Sequence, residues 1–306
     1  MTFNVTILGN NAAIPAFGRH TTAQVVNHNE EFFLLDCGED TQSRLKENKI
    51  KPGRLNNIFI SHLHGDHYFG LIGLITTLHL NRRTNPLNIY APKGIKEIIE
   101  LQLNYSNTIT SYSLNFFEVD TQSHYKIFEN QNLQVFTIPH VHRIPCCGYL
   151  MLEKKGVRRI NVEEINKFNI PFELYDNIKS GLDITLDDGT FINNKSVTLD
   201  PHTIRSYAFC SDTIYTDTYI EIIKGVDLLY HESTFLSDDE SRAKERYHCT
   251  AKQAAQIALA ANAKKLLLGH FSSKYENTFL FENEAREIFE PSYASVEKST
   301  YIIENI

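Results

Sequence analysis

The sequence predicts an α/β fold. Short β-branched and aromatic runs recur along the 306 residues, helix-like segments separate some of them, and hydrophobic residues make up 42% of the chain, enough for a sizeable core. The first runs are FNVTIL at 3–8, FFLLD at 32–36, NIFIS at 57–61, LNIYA at 87–91 and LQVFTI at 133–138. YAFCS at 207–211, DLLYHE at 227–232 and KLLLGH at 265–270 follow, and all eight read as strands. GIKEIIELQLNY at 94–105, TDTYIEIIKG at 216–225 and TAKQAAQIALAANA at 250–263 read as helices, the last with Thr250 as its N-cap. YFGLIGLITTLHL, which follows His67, suits a helix buried against a sheet.

No internal repeat, low-complexity tract or long Pro/Gly/Ser linker divides the chain, so one domain over 1–306 is expected. The segment 153–200 differs in texture: charged and polar residues dominate, and Ser180-Gly181 and Asp187-Asp188-Gly189 are turn signals. It reads as an excursion from the core, although an ordinary surface loop with a short helix fits the composition equally well. MTFNVTILG at the start has none of the regions of a secretory signal, and no stretch approaches the ~18 apolar residues of a membrane span, so a cytoplasmic protein is expected. Thirty Lys and Arg against 37 Asp and Glu, a net charge of -7, argue against a uniformly basic nucleic-acid coat and leave room only for a local patch. Five cysteines without CxxC spacing argue against a disulfide framework or an all-cysteine zinc site.

Histidine is in surplus, 13 residues, and its distribution is uneven. The strand at 57–61 runs into His62-Leu63-His64-Gly65-Asp66-His67, four possible metal ligands within six residues. His62 and His64, two apart in extended chain, point the same way. Gly65 would permit a sharp turn bringing Asp66 and His67 to the same pocket, held by a helix start. Imidazoles with a carboxylate suit zinc, with manganese or iron as competitors. A metal site needs further ligands, and candidates stand where other strands stop: His140 and His142, Asp212, and His270. Each of these alone reads as readily as a capping or hydrogen-bonding residue.

The run His62 to His67 is similar to the HxHxDH signature of the metallo-β-lactamase superfamily. LGNNAAIP, LLDCGEDTQ, SHLHGDHYFGLIGL, PLNIYAPKGIKEII, HRIPCCGY, AFCSDT, HESTF and LLLGHFSSKY span nearly the whole chain, and this ordered set resembles the ribonuclease Z branch, the tRNA 3′-processing endonucleases. The resemblance implies a four-layer αβ/βα sandwich with two facing mixed β-sheets, an inserted arm, and two zinc ions per subunit. One zinc would take His62, His64 and His142, the other Asp66, His67 and His270, with Asp212 bridging. In the family the third-motif ligand stands six residues before the Gly of Gly148-Tyr149, which is His142 and leaves His140 in a supporting place.

The activity so implied is hydrolytic removal of the 3′ trailer from precursor tRNA, leaving a 3′-hydroxyl on the tRNA and a 5′-phosphate on the trailer. Two zincs ~3.5 to 4 Å apart would acidify a bridging water and clamp the phosphoryl oxygens, with Asp66 orienting that water or accepting its proton. The leaving 3′-oxygen needs an acid; the resemblance assigns His248, held by Glu232. On position alone, His248 reads as a neighbour of the N-cap Thr250. Asp36 reads either as a carboxylate supporting a ligating imidazole or as a strand-end cap. His20, His28, His79, His124, His202 and His231 read as surface or core residues.

In the family the arm grips the tRNA elbow, and here it corresponds to 153–200, with Lys154, Lys155, Arg158 and Arg159 as RNA-binding candidates. The segment holds 7 basic and 9 acidic residues, so the cluster is a local patch, and a solvated charge run is the other reading. The arm lacks the Gly-Pro pair frequent in bacterial relatives. The family loop of type PxKxRN reads Pro15-Ala16-Phe17-Gly18-Arg19-His20, retaining the Pro and Arg19, a further RNA contact. The resemblance also implies a homodimer. The rivals are a metallo-hydrolase acting on small phosphodiesters or other small esters, and an RNA-binding protein on an inactive hydrolase fold.

Overall fold

The computed structural model describes residues 2–304. Two seven-stranded sheets carry the larger part of the chain. The first contains β1 (Phe3–Gly9), β2 (Ala23–His28), β3 (Glu31–Leu35), β4 (Leu55–Phe59), β5 (Leu87–Ala91) and β6 (Leu114–Glu118). The second contains β7 (Lys126–Glu129), β8 (Leu133–Pro139), β9 (Cys147–Glu153), β10 (Ser206–Cys210), β11 (Leu228–Glu232), β12 (Leu266–Gly269) and β13 (Ser292–Ala294), while β14 (Thr300–Ile302) returns to the first. The spatial orders are β14-β1-β2-β3-β4-β5-β6 and β13-β12-β11-β10-β9-β8-β7. Both sheets are mixed: β3 to β6 and β10 to β13 are parallel runs, joined to antiparallel pairs at β1, β2, β3 and at β9, β10.

Helices cover the outer faces. Leu71, Leu74, Ile75 and Leu78 of α2 (Gly70–Leu80) and Ile95, Ile99 and Leu103 of α3 (Ile95–Tyr105) pack with Leu34, Ile58 and Ile89 of the first sheet, and α1 (Thr41–Glu47) adds Leu45. On the second sheet, α5 (Ala251–Ala260) presents Ala254, Ala255, Ile257 and Ala258 to Ala208, Leu229 and Leu268, and α6 (Phe279–Arg286) adds Phe281 and Ala285. The small side chains of α5 let it lie close to the sheet. The inner faces meet through aromatics: Phe59 stacks on Tyr90 at 4.7 Å and reaches Tyr149 of the second sheet at 5.4 Å, and Phe33 meets Phe128 edge-on at 5.5 Å. The Tyr149 hydroxyl donates to the Ile60 carbonyl at 2.6 Å, satisfying a buried O–H across the interface. The result is helix, sheet, sheet, helix, as the resemblance implied.

Thr250 caps α5 through a reciprocal capping box with Gln253, so the helix starts where the sequence places it. The segment 216–225 is a correction, since it forms successive turns and no helix. Ile220 N–H bonds the Asp217 carbonyl and Ile222 N–H the Tyr219 carbonyl, three residues back. The run is short and rich in β-branched Thr and Ile, so helix propensity is low, and burial of Tyr219 and Ile223 decides its course.

A second compact unit comprises residues 130–133 and 153–204. It has a core of its own, Ile165, Ile170, Ile178, Ile184, Ile192 and Val197, contributed by three short helices and two two-stranded pairings, Arg159–Ile160 with Thr198–Leu199 and Ile184–Thr185 with Phe191–Ile192. Asn161 and Asn193 cap its helices with their side chains. Among the described residues no helix is long and apolar enough to cross a membrane.

Candidate metal centre

Parallel strands place their carboxyl ends on one side, and the candidate ligands follow those ends. His62 lies three residues after β4, Asp212 two after β10, and His270 directly after β12. Ser211 Oγ donates to Ser61 Oγ at 2.9 Å, tying the two sheets together at this point. Asp66 and His67 lie on a one-turn helix, Gly65–Tyr68. The turn there needs no unusual backbone, since Gly65 is absent from the positive-φ residues; instead, the Phe69 ring occupies the position a Cβ would take.

The ligand atoms form two groups on either side of Asp212. In the first, His64 Nδ1 is 3.0 Å from His62 Nε2 and 3.2 Å from His142 Nε2, and Asp212 Oδ2 is 3.5 Å from His62 Nε2 and 3.8 Å from His142 Nε2. In the second, His67 Nε2 and His270 Nε2 are 3.2 Å apart, with Asp66 Oδ2 at 3.5 and 3.4 Å and Asp212 Oδ1 at 3.4 and 3.2 Å. Four atoms bound tetrahedrally at ~2.0 to 2.1 Å lie about 3.3 Å from each other, so these spacings suit a divalent ion in each group. Asp212 Oδ1 is buried without a hydrogen-bond donor, as an atom reserved for a cation would be. Burial works against ionisation of Asp212, but the imidazoles of His270, His67 and His62 outweigh it and hold the carboxyl well below its ordinary range. Burial pushes His142 down to about 4, which leaves the ring neutral, the form that a metal ion would need.

His142, and not His140, joins the cluster. His140 is buried with both ring nitrogens unpaired, its ring 5.1 Å from that of Tyr219. A Cβ on Gly148 would lie 2.8 Å from His140 Cε1 and 2.3 Å from the Phe209 carbonyl, so only glycine admits this packing behind the ligand loop.

Surrounding groups hold the rings. Asp36 accepts from Ser61 N–H at 2.7 Å through Oδ1, and through Oδ2 it meets Ser61 Oγ at 2.9 Å and His67 Nδ1 at 2.7 Å. Asp36 therefore faces the cluster while also accepting the backbone N–H that follows β4; it sits at φ +56°, a strained conformation for a residue other than glycine. Thr234 Oγ1 bonds His270 Nδ1 at 2.9 Å, the Tyr247 carbonyl meets His142 Nδ1 at 3.1 Å, and Ala13 N–H donates to Asp66 Oδ2 at 2.7 Å. Ser61, Thr234, Ala13 and Tyr247 were not singled out from sequence. Ser61 and Thr234 had a signal, a hydroxyl at a strand end beside a candidate site residue.

His248 Nδ1 lies 3.0 Å from Glu232 Oε1. Glu232 is fully buried and also accepts from the N–H groups of Cys249, Thr213 and Thr234 and from the Thr234 hydroxyl. Burial disfavours the His248 imidazolium, yet Glu232 outweighs this and raises its pKa above the ordinary value. His248 Nδ1 is 3.9 Å from Asp212, so it also borders the histidine and aspartate cluster.

Arg158 pairs with Asp200 at 2.6 Å and bonds Thr198, Arg159 bonds the Asp200 carbonyl, and Lys154 bonds the Asn130 carbonyl, all within the second unit, while Lys155 is exposed. Arg19 is bonded within the larger unit. Its guanidinium nitrogens bond Asn11 Oδ1 and the carbonyls of Glu276 and Tyr275, so it secures the loop carrying Ala13.

A family model described as beta-lactamase superfamily domain matches residues 182–271, and one described as anti-Pycsar protein Apyc1 matches 3–161. The second match includes His62 to His142 and ends before Asp212, so it covers part of the ligand set. Ribonuclease Z of Bacteroides thetaiotaomicron is 43% identical over 99% of this chain and 96% of its own length. The chain belongs to the ribonuclease Z family. Ribonuclease Z of Porphyromonas gingivalis is 41% identical over 97% of each chain. The solved structure of human tRNase Z, short form, is 25% identical and superposes with a TM-score of 0.72 over 99% of this chain and 100% of that one.

Proposed function

We propose that this chain is a metal-dependent endoribonuclease that removes the 3′ trailer from precursor tRNA, leaving a 3′-hydroxyl on the tRNA and a 5′-phosphate on the trailer. The observation that carries the reading is one cavity of about 630 Å³, in a chain of the ribonuclease Z family, lined by His64, Asp66, Asp212 and His270 together with His248. His62, His64 and His142 would hold one ion and Asp66, His67 and His270 the other, with Asp212 between them; the donor set favours zinc. Bound ions supply positive charge to the phosphoryl oxygens and acidity to an attacking water.

The chain's own groups supply the rest. Asp66, fixed by Ala13 N–H, orients the water and takes its proton. As the P–O3′ bond breaks, His248 gives its proton to the departing 3′-oxygen, and Glu232 keeps the imidazole charged and correctly turned. The second compact unit, which contains 153–200, acts as the arm that grips the tRNA, with Lys154, Lys155, Arg158 and Arg159 near its surface. The protein works as a cytoplasmic homodimer, in keeping with five buried, unpaired cysteines for the compartment.

The test is cleavage of a trailer-bearing precursor tRNA and of a small phosphodiester, with and without chelator, by the native protein and by Asp66→Ala. Cleavage of the small ester but not the RNA would overturn the tRNA assignment. Full activity in Asp66→Ala would overturn its role. Deleting 156–195 should abolish tRNA cleavage and spare the small ester, and equal loss of both would show a structural segment instead.

A further inference from the structure

The geometry points to Arg242 and Arg246, with Arg143, as a clamp for the backbone phosphates on the tRNA side of the cut. All three line the cavity of the metal cluster, all three are exposed, and among the described residues none has a carboxylate within ion-pair distance. That sets them apart from Arg19, bonded to the Glu276 and Tyr275 carbonyls, and Arg158, paired with Asp200. Asp239, the acid whose charge feels Arg242, is already bonded to Lys274 and the Tyr275 hydroxyl.

Arg242 and Arg246 stand four residues apart on α4 (Glu240–Arg246), hence on one face. Ala243 is buried beneath them, and Tyr247 at φ +61° ends the helix so that His248 N–H bonds the Ala243 carbonyl at 2.8 Å. Arg242 also lies over the Phe235 ring, which borders His248. The Tyr247 carbonyl holds His142, next to which stands Arg143. The three guanidinium groups are therefore carried by the same two chain segments that carry His248 and His142. Planar guanidinium forks match phosphate oxygens, and exposed unpaired arginines cost nothing to recruit from an internal partner.

The polarity follows from the proposed function, on which this inference rests. His248 protonates the departing 3′-oxygen, which belongs to the tRNA product, so the backbone beside α4 is the 5′ side of the scissile bond. The trailer then leaves along the part of the cavity away from α4.

The experiment compares native protein with Arg242→Gln/Arg246→Gln and the matching double Lys variant on precursor tRNA and on bis(p-nitrophenyl) phosphate. The Gln variant should lose about 10- to 100-fold in kcat/KM on the precursor, and the log–log salt dependence should become shallower by about 1.4 to 1.8, two contacts at ~0.7 to 0.9 each. The loss on the small ester should be at least tenfold smaller, and the Lys variant should retain the native salt slope. Precursors with neutral methylphosphonate linkages just 5′ of the cut should be cleaved poorly by native protein with no added loss in the Gln variant; linkages 3′ of the cut should give losses that add. A native salt slope in the Gln variant, equal losses on both substrates, or additive losses on the 5′ side would each overturn the clamp. Failure of the native protein to cut the precursor at all would overturn the proposed function instead.

Discussion

Replacing Asp36 by Asn is a sensitive test of how this site is held. The Asp36 side chain is fully buried and each of its oxygens accepts, Oδ1 from Ser61 N–H and Oδ2 from Ser61 Oγ and His67 Nδ1. Asn fills the same space but has one acceptor. If its oxygen keeps Ser61 N–H, its amide group faces His67 Nδ1 and favours the tautomer with the proton on Nε2, the atom that faces His270 and Asp212. If it turns over, Ser61 N–H is left facing a donor, at a cost of about 1 to 3 kcal/mol. Such supporting groups are typically worth ~10- to 100-fold in metal affinity, about 1.4 to 2.7 kcal/mol. Titration with zinc against a chromophoric chelator should therefore show Asp36→Asn losing that factor in the His67 and His270 group, with the His62, His64 and His142 group less affected. Uptake of two ions with native affinity would refute the reasoning and leave Asp36 as a mere strand-end residue.

His248→Ala should lower kcat on precursor tRNA by about 10² to 10⁴ while the melting temperature stays near that of native protein. The raised pKa of His248 has a definite sign: its acid form is present below that pKa and lost as pH rises through it, so Glu232→Gln should move the alkaline fall of the pH–rate profile to lower pH. Thr250→Ala removes the capping box of α5 and should cost about 1 kcal/mol, read by urea unfolding. Gly148→Ala forces a Cβ against the Phe209 carbonyl and His140 and should destabilise by about 1 to 3 kcal/mol, measured in the same way. Exhaustive chelation should abolish cleavage of both substrates, and added zinc should restore it in a timed activity assay.

Much was legible where the signal is local. Alternating apolar runs marked β1, β5 and β8 to within a residue, because strand propensity and burial agree there. Thr250 marked the start of α5 because a cap depends on four consecutive residues. The segment 216–225 misled because its apolar residues answer to a neighbouring core and not to helical hydrogen bonds. The core of the second unit was hidden for a related reason: Ile165, Ile170, Ile178, Ile184 and Ile192 are isolated in a polar segment and meet only after it folds. Exposure and pairing are equally unreadable in sequence: nothing local shows that Arg19 is bonded to three partners or that Arg242 and Arg246 line the cavity.

The chain by itself determined the α/β class, the six-residue run of candidate ligands and, through ordered motifs, the family; the structure gathers His142, Asp212 and His270 beside that run. Tertiary structure decided what each oxygen and nitrogen faces. Asp212 turns one oxygen to each group, Asp36 holds both the Ser61 N–H and His67, and His140 is packed behind the site it was grouped with. The physical reason is distance along the chain. Residues 62 to 67 are placed by their own turn, whereas His67 and His270, 203 residues apart, meet only because two sheets bring the carboxyl ends of their parallel strands to the same place.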